Sequence, residues 1–364
     1  MQDFRNLRSV ELVPAPGLTA LVGANGEGKT NLLEAVAYLA TLSSFRGAPG
    51  EALVAHGAER AIVRAELDTD QPGRSSVTTI EAELRPHGRD RVLVDRQKLR
   101  RAADLAGTVR VTVFSPDDLA LVKEGPAHRR RYLDDLLFAG SPRLAAVGHD
   151  LDRVLRQRST LLRQAGGRLS TEVASTLDVW DAKLSELGER LGRARARLVE
   201  QLEPAVAKGY DQVAAASAGV TLSYDAPWRS EGLAAALAAA RGDDVRRGAS
   251  TVGPHRDELV FTIDGLPART HASQGEQRSL ALALRLAGHE LLGATTGGPP
   301  LLLLDDVFSE LDADRSAALL THLPPAQALL TTTGSLPDGA HPDVVVGVRA
   351  GQLETSSPER EVKP

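Results

Sequence analysis

A complete phosphate-binding loop near the start of the chain is the sequence feature that most restricts the fold. Residues 23–30 read Gly-Ala-Asn-Gly-Glu-Gly-Lys-Thr and match the pattern GxxxxGK[ST]. A buried-strand candidate, Leu18–Val22, precedes the loop, and the apolar spacing of Lys29–Thr41 predicts a helix directly after it. Because strand, loop and helix follow one another in the required order, the sequence predicts an α/β core built around this loop.

The composition of the loop predicts how it holds a nucleotide. Its glycines let backbone N–H groups surround phosphates, and the start of the helix adds the positive end of a dipole. We expect the Lys29 ammonium to reach the β- and γ-phosphates and the Thr30 hydroxyl to bind Mg²⁺, which implies ATP and Mg²⁺ as cofactors. The predicted cofactor-binding residues of the loop are Gly23, Ala24, Asn25, Gly26, Glu27, Gly28, Lys29 and Thr30.

A second motif is an apolar strand that ends in two carboxylates. Leu301–Leu304 is followed by Asp305, which we expect to hold the magnesium ion or its water. We expect the next residue, Asp306, to act as general base on the attacking water. Acidic strand ends are common, so this motif gains weight from the loop about 275 residues upstream. The chain has no Asn/Thr-Lys-x-Asp motif, which disfavours a GTPase.

The third motif is Ser-Gln-Gly-Glu-Gln at residues 273–277, directly before a helix predicted over Arg278–Leu291. A serine and a glycine at a helix start form an anion site. About 30 residues separate this site from the acidic strand, which is the layout of ABC ATPases. In those enzymes the loop closes over the γ-phosphate of a nucleotide held by a second subunit. In isolation, Ser273 and Glu276 indicate only a capping box; with the other two motifs they favour an ABC-type P-loop ATPase.

The middle of the chain has the apolar pattern of paired helices. A heptad spacing runs through Val173, Leu177, Trp180, Leu184, Leu187, Leu191, Ala194 and Leu198, and an earlier run comprises Leu144, Val147, Leu151, Val154 and Leu161 with Arg158 in one seam position. Gly166 and Gly167 lie between the runs, which predicts a short antiparallel helical hairpin with arms of about 35 Å. A free-standing coiled coil and two amphipathic helices packed on a globular body fit this pattern equally well.

Strands predicted on both sides of this segment make it an insertion in the core. They are Val77–Leu84, Arg91–Asp95, Val109–Phe114, Thr221–Tyr224, Leu259–Ile263, Leu301–Leu304, Gln327–Thr331 and Val344–Val348. We therefore predict an α/β fold: an ABC-type P-loop ATPase head with mixed sheets and an inserted α-helical lobe that contains the hairpin. Residues 1–115 and 250–364 would form the head and residues 116–249 the inserted lobe.

Composition excludes several classes of protein. The chain has no cysteine, which excludes disulfides and thiolate metal sites. Its apolar runs are far shorter than the roughly 20 residues that span a bilayer, and the N-terminus has no apolar stretch like that of a signal peptide. We therefore expect a cytoplasmic protein without a membrane partner.

The charge distribution leaves room for a nucleic-acid surface. The net charge is −5, but residues 125–200 hold 14 Lys and Arg against 10 Asp and Glu. This segment could contact phosphates, or it could be an ordinary solvated helix surface. Aromatic residues make up 3% of the chain, which favours salt-sensitive, sequence-independent contact with phosphates over base stacking. The basic clusters are Arg129, Arg130 and Arg131, and Arg193, Arg195 and Arg197; some of them could be structural partners of Asp134 and Asp135.

Further motifs cover nearly the whole chain and narrow the interpretation. They are Asp3-Phe-Arg-Asn6, Asn31-Leu-Leu-Glu34-Ala35, Ser44-Phe-Arg46, Gly125-Pro-x-x-Arg-Arg130-x-x-Leu-Asp134, Leu155-x-Gln-Arg158, Trp180-Asp181, Gly253-Pro-His255-Arg-Asp257 and Asp305-Asp-Val-Phe-Ser-Glu-Leu-Asp312. Together with the loop, they resemble the RecF family of bacterial DNA-repair and recombination proteins. The loop and the acidic motif are shared with the wider SMC-like ATPases, whereas the Gly-Pro-His and Gly-Pro-x-x-Arg-Arg elements are typical of RecF.

The resemblance implies an ATP-gated DNA-binding dimer. ATP would drive formation of a homodimer, hydrolysis would separate it, and the dimer would bind single-stranded, duplex or gapped DNA without sequence specificity. The family acts in gap repair with RecR and RecO, which help to load the recombinase RecA, and it supports replication and the SOS response. By motif, Lys29, Thr30, Asp305 and Asp306 would form the site in one subunit, Ser273 and Gly275 would act on the partner's nucleotide, Ser309 and Asp312 would lie at the dimer seam, and Arg5 and Asn6 would lie near the adenosine.

The sequence also departs from the family pattern. Thr331–Thr333 stands where many ABC ATPases have a histidine that senses the γ-phosphate, so we expect weak ATP hydrolysis. Phe114–Asp117 occupies the place of the loop that usually carries a glutamine. The alternative from another functional class is an ABC-type ATPase subunit that acts through protein partners and does not bind DNA.

Overall fold

The computed structural model describes residues 1–71, 74–88, 90–99, 105, 108–214 and 217–356. The chain forms two compact units, one of Met1–Asp118 with Leu292–Pro364 and one of Leu119–Leu291. The first unit is therefore discontinuous in sequence. The chain returns to it at Leu292, later than the residue 250 expected from the sequence.

Strands predominate in the first third of the chain, and helices predominate in the middle. The strands are β1 (Gln2–Phe4), β2 (Leu7–Ser9), β3 (Leu18–Val22), β4 (Ala61–Gln71), β5 (Arg74–Leu84), β6 (Arg91–Val94), β7 (Gln97–Lys98), β8 (Val111–Phe114), β9 (Val220–Asp225), β10 (Glu258–Ile263), β11 (Leu266–Pro267), β12 (Leu301–Asp305), β13 (Ala328–Thr332), β14 (Val344–Arg349) and β15 (Gln352–Ser356). The helices are α1 (Lys29–Thr41), α2 (Ala120–Lys123), α3 (Pro126–Gly140), α4 (Pro142–Gln164), α5 (Thr171–Ala214), α6 (Leu233–Arg247), α7 (Ala268–His271), α8 (Gln274–Thr296) and α9 (Ala313–His322).

The first unit contains two six-stranded sheets. One has the order β15-β14-β3-β13-β12-β8 and is parallel from β14 to β8, and the other has the order β2-β1-β4-β5-β6-β7 and is antiparallel. Leu21, Leu33, Leu303 and Leu329 belong to one buried core that joins α1 to the parallel sheet. Only β13 separates β3 from β12, so the residues that follow β3 and β12 emerge at the same edge of the sheet.

Local prediction was accurate for some elements of this unit, although β1, β2 and β4 were not predicted. The strand Leu18–Val22 and the helix Lys29–Thr41 have the bounds expected from the sequence. The strands predicted over Val77–Leu84 and Arg91–Asp95 are also present, as the antiparallel neighbours β5 and β6. These elements have strong periodic patterns and flanking turns, so their local sequence is enough to determine where they form.

The second unit has a small antiparallel sheet of its own, in the order β11-β10-β9. Leu222 on β9 and Phe261 on β10 share a buried core with Leu202 of α5 and with Leu280 and Leu284 of α8. This packing keeps β10 and the start of α8 in the second unit. The boundary near residue 250 differs from the observed one because the sequence pattern of β10 does not reveal that its partner is β9.

The predicted antiparallel pair of helices is present as α4 and α5. Leu151 packs near Leu187 and Leu191, whereas Leu162, farther along α4, packs near Leu177. The second arm is much longer than expected: α5 has 44 residues, about 66 Å at 1.5 Å per residue. It continues past Pro204, where a proline would ordinarily end a helix. Trp228, Leu233 and Leu237 pack against both arms, so the pair is not a free-standing coiled coil.

Candidate nucleotide site

The loop between β3 and α1 has a backbone that only glycine accommodates well at two points. Gly28 has a φ of 111°, in the left-handed region, and a Cβ there would lie 2.7 Å from Oδ1 of Asn6. At Gly23 a Cβ would lie 2.2 Å from the backbone oxygen of Val348 on β14. The loop is thus held between α1 and the sheet, with its backbone exposed toward the space above the start of α1.

Lys29 is the first residue of α1 and is 6% exposed. Its ammonium donates to the backbone oxygens of Gly23 and Ala24 at 2.7 and 2.8 Å. Burial lowers the pKa of Lys29, while the carboxylates of Asp306 and Asp305 oppose this shift. The Lys29 ammonium therefore lies at the loop, where phosphate oxygens could replace its two carbonyl partners.

Oxygen atoms from three strands and helices converge beside the loop. The Thr30 hydroxyl donates to Asp305 Oδ1 at 2.8 Å, although the two residues are 275 positions apart. The Thr331 hydroxyl donates to the same Oδ1 at 2.9 Å and accepts from the backbone N–H of Asp306 at 2.9 Å. Asp305 is 6% exposed, and burial raises the pKa of its carboxyl, while the hydrogen bonds from Thr30 and Thr331 oppose that shift.

This oxygen cluster fits a hard cation. Mg²⁺ prefers oxygen ligands, keeps several waters and commonly takes one or two carboxylates together with substrate phosphates. The described residues contain no group of three or more His, Cys, Asp or Glu able to hold a metal. The pair of Thr30 and Asp305 does not require such a group, because phosphates and water can supply the remaining ligands.

Asp306 has a strained backbone at the rim of the site. Its φ is 49° and its ψ is 28°, a left-handed backbone conformation that residues other than glycine seldom adopt. The strain follows from the turn that ends β12, where the Asp306 amide is bound by Thr331. The turn brings the Asp306 carboxylate to the pocket instead of the sheet core.

A pocket of about 250 Å³ lies over the loop and connects these groups. Sequence reasoning did not assign Arg46, Asn31, Thr331 or Thr333 to it. Arg46 was visible only as part of the Ser-Phe-Arg motif, and Thr331 only as a missing histidine. The residues that line the pocket are Asn25, Gly26, Gly28, Lys29, Thr30, Asn31, Arg46, Asp306, Thr331 and Thr333.

Other predicted contacts of the nucleotide lie beside the loop and have protein partners. Arg5 makes a two-pronged ion pair with buried Glu34, each hydrogen bond being 2.9 Å long. The Asn6 amide accepts a hydrogen bond from Asn31 at 2.8 Å. The Glu27 carboxylate accepts from the backbone N–H of Ala350 in the turn between β14 and β15. Arg5, Asn6 and Glu27 thus support the loop from outside the pocket.

The Ser-Gln-Gly-Glu-Gln segment begins α8 in the second unit. The backbone N–H of Ser273 donates to Glu276 Oε2 at 2.7 Å, and the backbone N–H of Glu276 donates to Ser273 Oγ at 3.3 Å. This is a capping box, and the hydrogen bonds from Ser273 lower the pKa of Glu276. Ser273 is exposed and Gly275 is half-buried, so the start of α8 is open to a ligand.

The two residues expected at a dimer seam lie just after the acidic strand. Ser309 is exposed, and its hydroxyl donates to the backbone oxygen of Asp306 at 2.8 Å. Asp312 is the N-cap of α9 and accepts from the backbone N–H of Arg315 at 2.9 Å. Hydrogen bonds from Arg315 lower the pKa of Asp312. This loop is therefore connected directly to the proposed general base.

Two of the six arginines in the two predicted basic clusters are buried in ion pairs inside the second unit. Buried Arg129 donates to both carboxylate oxygens of Glu258 at 2.7 and 3.0 Å. Buried Arg195 makes the same two-pronged contact with Asp134 at 2.8 and 2.7 Å. Arg130 donates to the Asp257 backbone oxygen. Arg131 and Arg193 are exposed and form ion pairs with Asp135 and Glu189, respectively. Arg197 is exposed.

Comparison with known proteins gives concordant results. The family model of the RecF/RecN/SMC N terminal domain matches residues 1–335. The "DNA replication and repair protein RecF" of Frankia alni is 46% identical over 347 residues, which cover 91% of this chain and 90% of the relative. The solved "Structure of the recombination mediator protein RecF-ATP in RecFOR pathway" has a TM-score of 0.89 at 29% identity and covers 98% of this chain and 96% of that chain.

A more distant structure shares the fold alone. An Smc head bound to the C-terminal winged-helix domain of ScpA has a TM-score of 0.59 at 16% identity, covering 98% of this chain and 96% of that chain. The α/β head with mixed sheets and a helical insertion is thus the SMC-type ABC ATPase fold. Within the described ranges, no helix is long and apolar enough to cross a membrane.

Proposed function

The chain belongs to the RecF family of DNA replication and repair proteins, and on that premise we propose that it is an ATP-dependent DNA-binding protein of recombinational gap repair. It binds ATP with Mg²⁺, forms a homodimer on ATP, and hydrolyses ATP slowly. The dimer binds single-stranded or gapped DNA and acts with RecO and RecR to help load the recombinase. The observation that carries the proposal is the contact between Thr30 and Asp305, 2.8 Å apart beside the phosphate-binding loop.

Different residues of the first unit bind the phosphates, hold Mg²⁺ and orient the attacking water. The Lys29 ammonium leaves its two carbonyl partners for the β- and γ-phosphates, and the loop amides surround the phosphate chain. Thr30 and Asp305 hold Mg²⁺, which neutralises phosphate charge when bound. Asp306 orients the attacking water and accepts its proton. Arg46, which lines the same pocket, adds a positive charge near the phosphates.

A second copy of the chain completes the site. The start of α8 offers backbone N–H groups near Ser273 and Gly275, and a 23-residue helix adds the positive end of its dipole. These groups bind the γ-phosphate held by the partner subunit, while Ser309 and Asp312 line the seam. Dimerisation thus depends on the intact triphosphate, and hydrolysis releases the partner.

Slow hydrolysis follows from the chemistry at the end of β13. A histidine there could donate a hydrogen bond to the γ-phosphate and change its charge near neutral pH. The Thr331 hydroxyl does not change its charge near neutral pH, and its proton is already donated to Asp305 while its oxygen accepts from the Asp306 amide. We expect ATP to persist in the dimer long enough to act as a timer for DNA binding.

The test measures fluorescence anisotropy of a labelled gapped duplex with ATP and with ADP. Wild type should bind tightly with ATP only, and Ser273→Arg should lose this binding because the long side chain obstructs the partner's phosphate. Ser273→Ala is the control, because it removes the helix cap without obstructing the site and lowers the stability of the protein by about 1 kcal/mol. Light scattering with ATP and Mg²⁺ should show a doubled mass for wild type but not for Ser273→Arg. Equal DNA binding by all proteins with either nucleotide would refute the ATP-gated mechanism, and absence of DNA binding would favour an ATPase that acts through protein partners.

A further inference from the structure

A basic pocket of about 640 Å³ lies in the second unit between α4 and the segment 249–256. The α4 residues recur at intervals of three and four, so they share one face of the helix. We call this the α4 pocket. It is lined by Asp152, Leu155, Arg156, Ser159, Thr160 and Arg163 from α4, and by Ala249, Ser250, His255 and Arg256.

The α4 pocket has an excess of positive charge. Arg156, Arg163 and Arg256 are exposed, and Asp152 is the one carboxylate among the residues that line the pocket. Two of these arginines bind neutral oxygens: Arg163 donates to the Thr160 hydroxyl at 3.4 Å, and Arg256 donates to a backbone carbonyl. Within the described residues, none of the three arginines has a carboxylate oxygen within 4.0 Å, unlike buried Arg129, Arg158 and Arg195.

The Gly-Pro-His-Arg-Asp motif fixes one wall of the pocket. Asp257 is buried and accepts hydrogen bonds from Trp228 Nε1, at 2.7 Å, and from the Tyr224 hydroxyl. Arg256 Nε and Nη2 donate to the backbone oxygen of Ser250 at 3.2 and 2.9 Å. The Arg256 guanidinium is therefore held in place before any ligand arrives, which reduces the entropy lost on binding.

Ser250 is held in position by a hydrogen bond from Arg158. It is 4% exposed, and its hydroxyl accepts from Nη1 of buried Arg158 at 2.7 Å. The same backbone oxygen that binds Arg256 lies 3.1 Å from His255 Nε2. Burial lowers the pKa of His255, so the imidazole contributes shape to the wall and the positive charge comes from the arginines.

We infer that the α4 pocket binds phosphates of the DNA backbone. A planar guanidinium binds phosphate oxygens through two parallel hydrogen bonds, and the Ser159 hydroxyl offers a further donor. Among the described residues, no Phe, Tyr or Trp side chain lines the pocket, so it fits a backbone contact without sequence preference better than the stacking of a base. The inference rests on the proposed function, and it assigns DNA contact to arginines other than Arg129 and Arg195, which are buried in ion pairs.

The experiment compares two double variants of the same helix that remove equal charge. Arg156→Ala/Arg163→Ala empties the pocket of two guanidiniums, whereas Arg143→Ala/Arg153→Ala removes two exposed arginines of α4 that do not line it. Anisotropy of a labelled gapped duplex is measured with ATP from 50 to 300 mM salt. The slope of log K against log [salt] is negative, and each lost phosphate contact reduces its magnitude by about 0.9. The pocket variant should therefore have a slope smaller in magnitude by about 1.8 and bind about 30-fold more weakly at 0.15 M salt.

Further readouts keep the inference separate from folding and from the proposed function. Binding of a fluorescent ATP analogue should be unchanged in both variants, and Arg156→Lys/Arg163→Lys should recover most of the salt slope because the charges remain. Equal losses in the two Ala variants, or wild-type DNA affinity in the pocket variant, would overturn the inference while ATP-dependent DNA binding stands. A wild-type protein that binds no DNA would overturn the proposed function and the inference together.

Discussion

Thr331 links Asp305 and Asp306, the two aspartates proposed to act on ATP and Mg²⁺, and its hydroxyl is the most direct target for a test of the site. Thr331→Val keeps the shape of the side chain but removes the donor to Asp305 and the acceptor for the Asp306 amide, both at 2.9 Å. A hydrogen bond to a charged group contributes roughly 1.5–3 kcal/mol. A loss of about 2 kcal/mol in the transition state corresponds to a decrease of about 30-fold in kcat.

The neighbouring threonine supplies a matched control. Thr332 is also buried on β13, but its hydroxyl makes only long contacts, at 3.5 Å to the Ser335 oxygen and 3.4 Å from the Gly334 amide. Thr332→Val should therefore change kcat by less than about threefold. The measurements are steady-state ATP turnover and Mg²⁺ titration of a bound fluorescent ATP analogue. Equal losses in both variants would indicate damage to β13 instead, and an unchanged rate for Thr331→Val would refute the role of its hydroxyl.

Three further predictions concern pH, stability and the loop. Burial raises the pKa of Asp305, so as the pH is lowered the ionised form that holds Mg²⁺ is lost at a higher pH than for an ordinary aspartate. Mg²⁺ affinity should therefore fall with decreasing pH in wild type and stay constant in Asp305→Asn. Arg158→Met leaves buried Asp244 without its cation and leaves Asp181 paired with Arg241 alone, so urea unfolding should show a loss of about 3–5 kcal/mol, and a change below about 1 kcal/mol would contradict this. Gly28→Ala meets both a φ of 111° and Asn6 Oδ1 at 2.7 Å, so calorimetry should detect at least a tenfold loss of ATP affinity.

The parts of the site that follow one another in sequence were predictable, whereas those that depend on sheet order were not. The roles proposed for Lys29, Thr30 and Asp305 follow from local patterns with fixed chemistry. The contact of Thr331 with Asp305 exists because β13 lies beside β12 with Thr331 opposite Asp305. A single sequence does not specify that register, so the same threonine was visible only as a departure from the family pattern.

Long-range ion pairs explain most of the remaining differences. Arg129 and Arg195 belong to basic clusters in the sequence, yet Glu258 and Asp134 bind them inside the protein. Charge counting along the chain does not distinguish an arginine that faces solvent from one that faces a distant carboxylate. Pro204 is a similar case, because the packing of α5 against two cores outweighs the local preference of proline to end a helix.

The discontinuous first unit has a consequence for the order of events during synthesis. Residues 119–291 are contiguous and can fold as soon as they leave the ribosome. By contrast, β3 waits for both of its neighbours, β13 and β14, and β8 waits for β12. At 5–20 residues per second, the roughly 190 residues from Asp118 to β12 take about 10–40 s to be made. During that interval the nascent chain carries unpaired strand edges, which are sites of aggregation. We therefore expect chaperones to shield the chain during synthesis and the nucleotide site to form last.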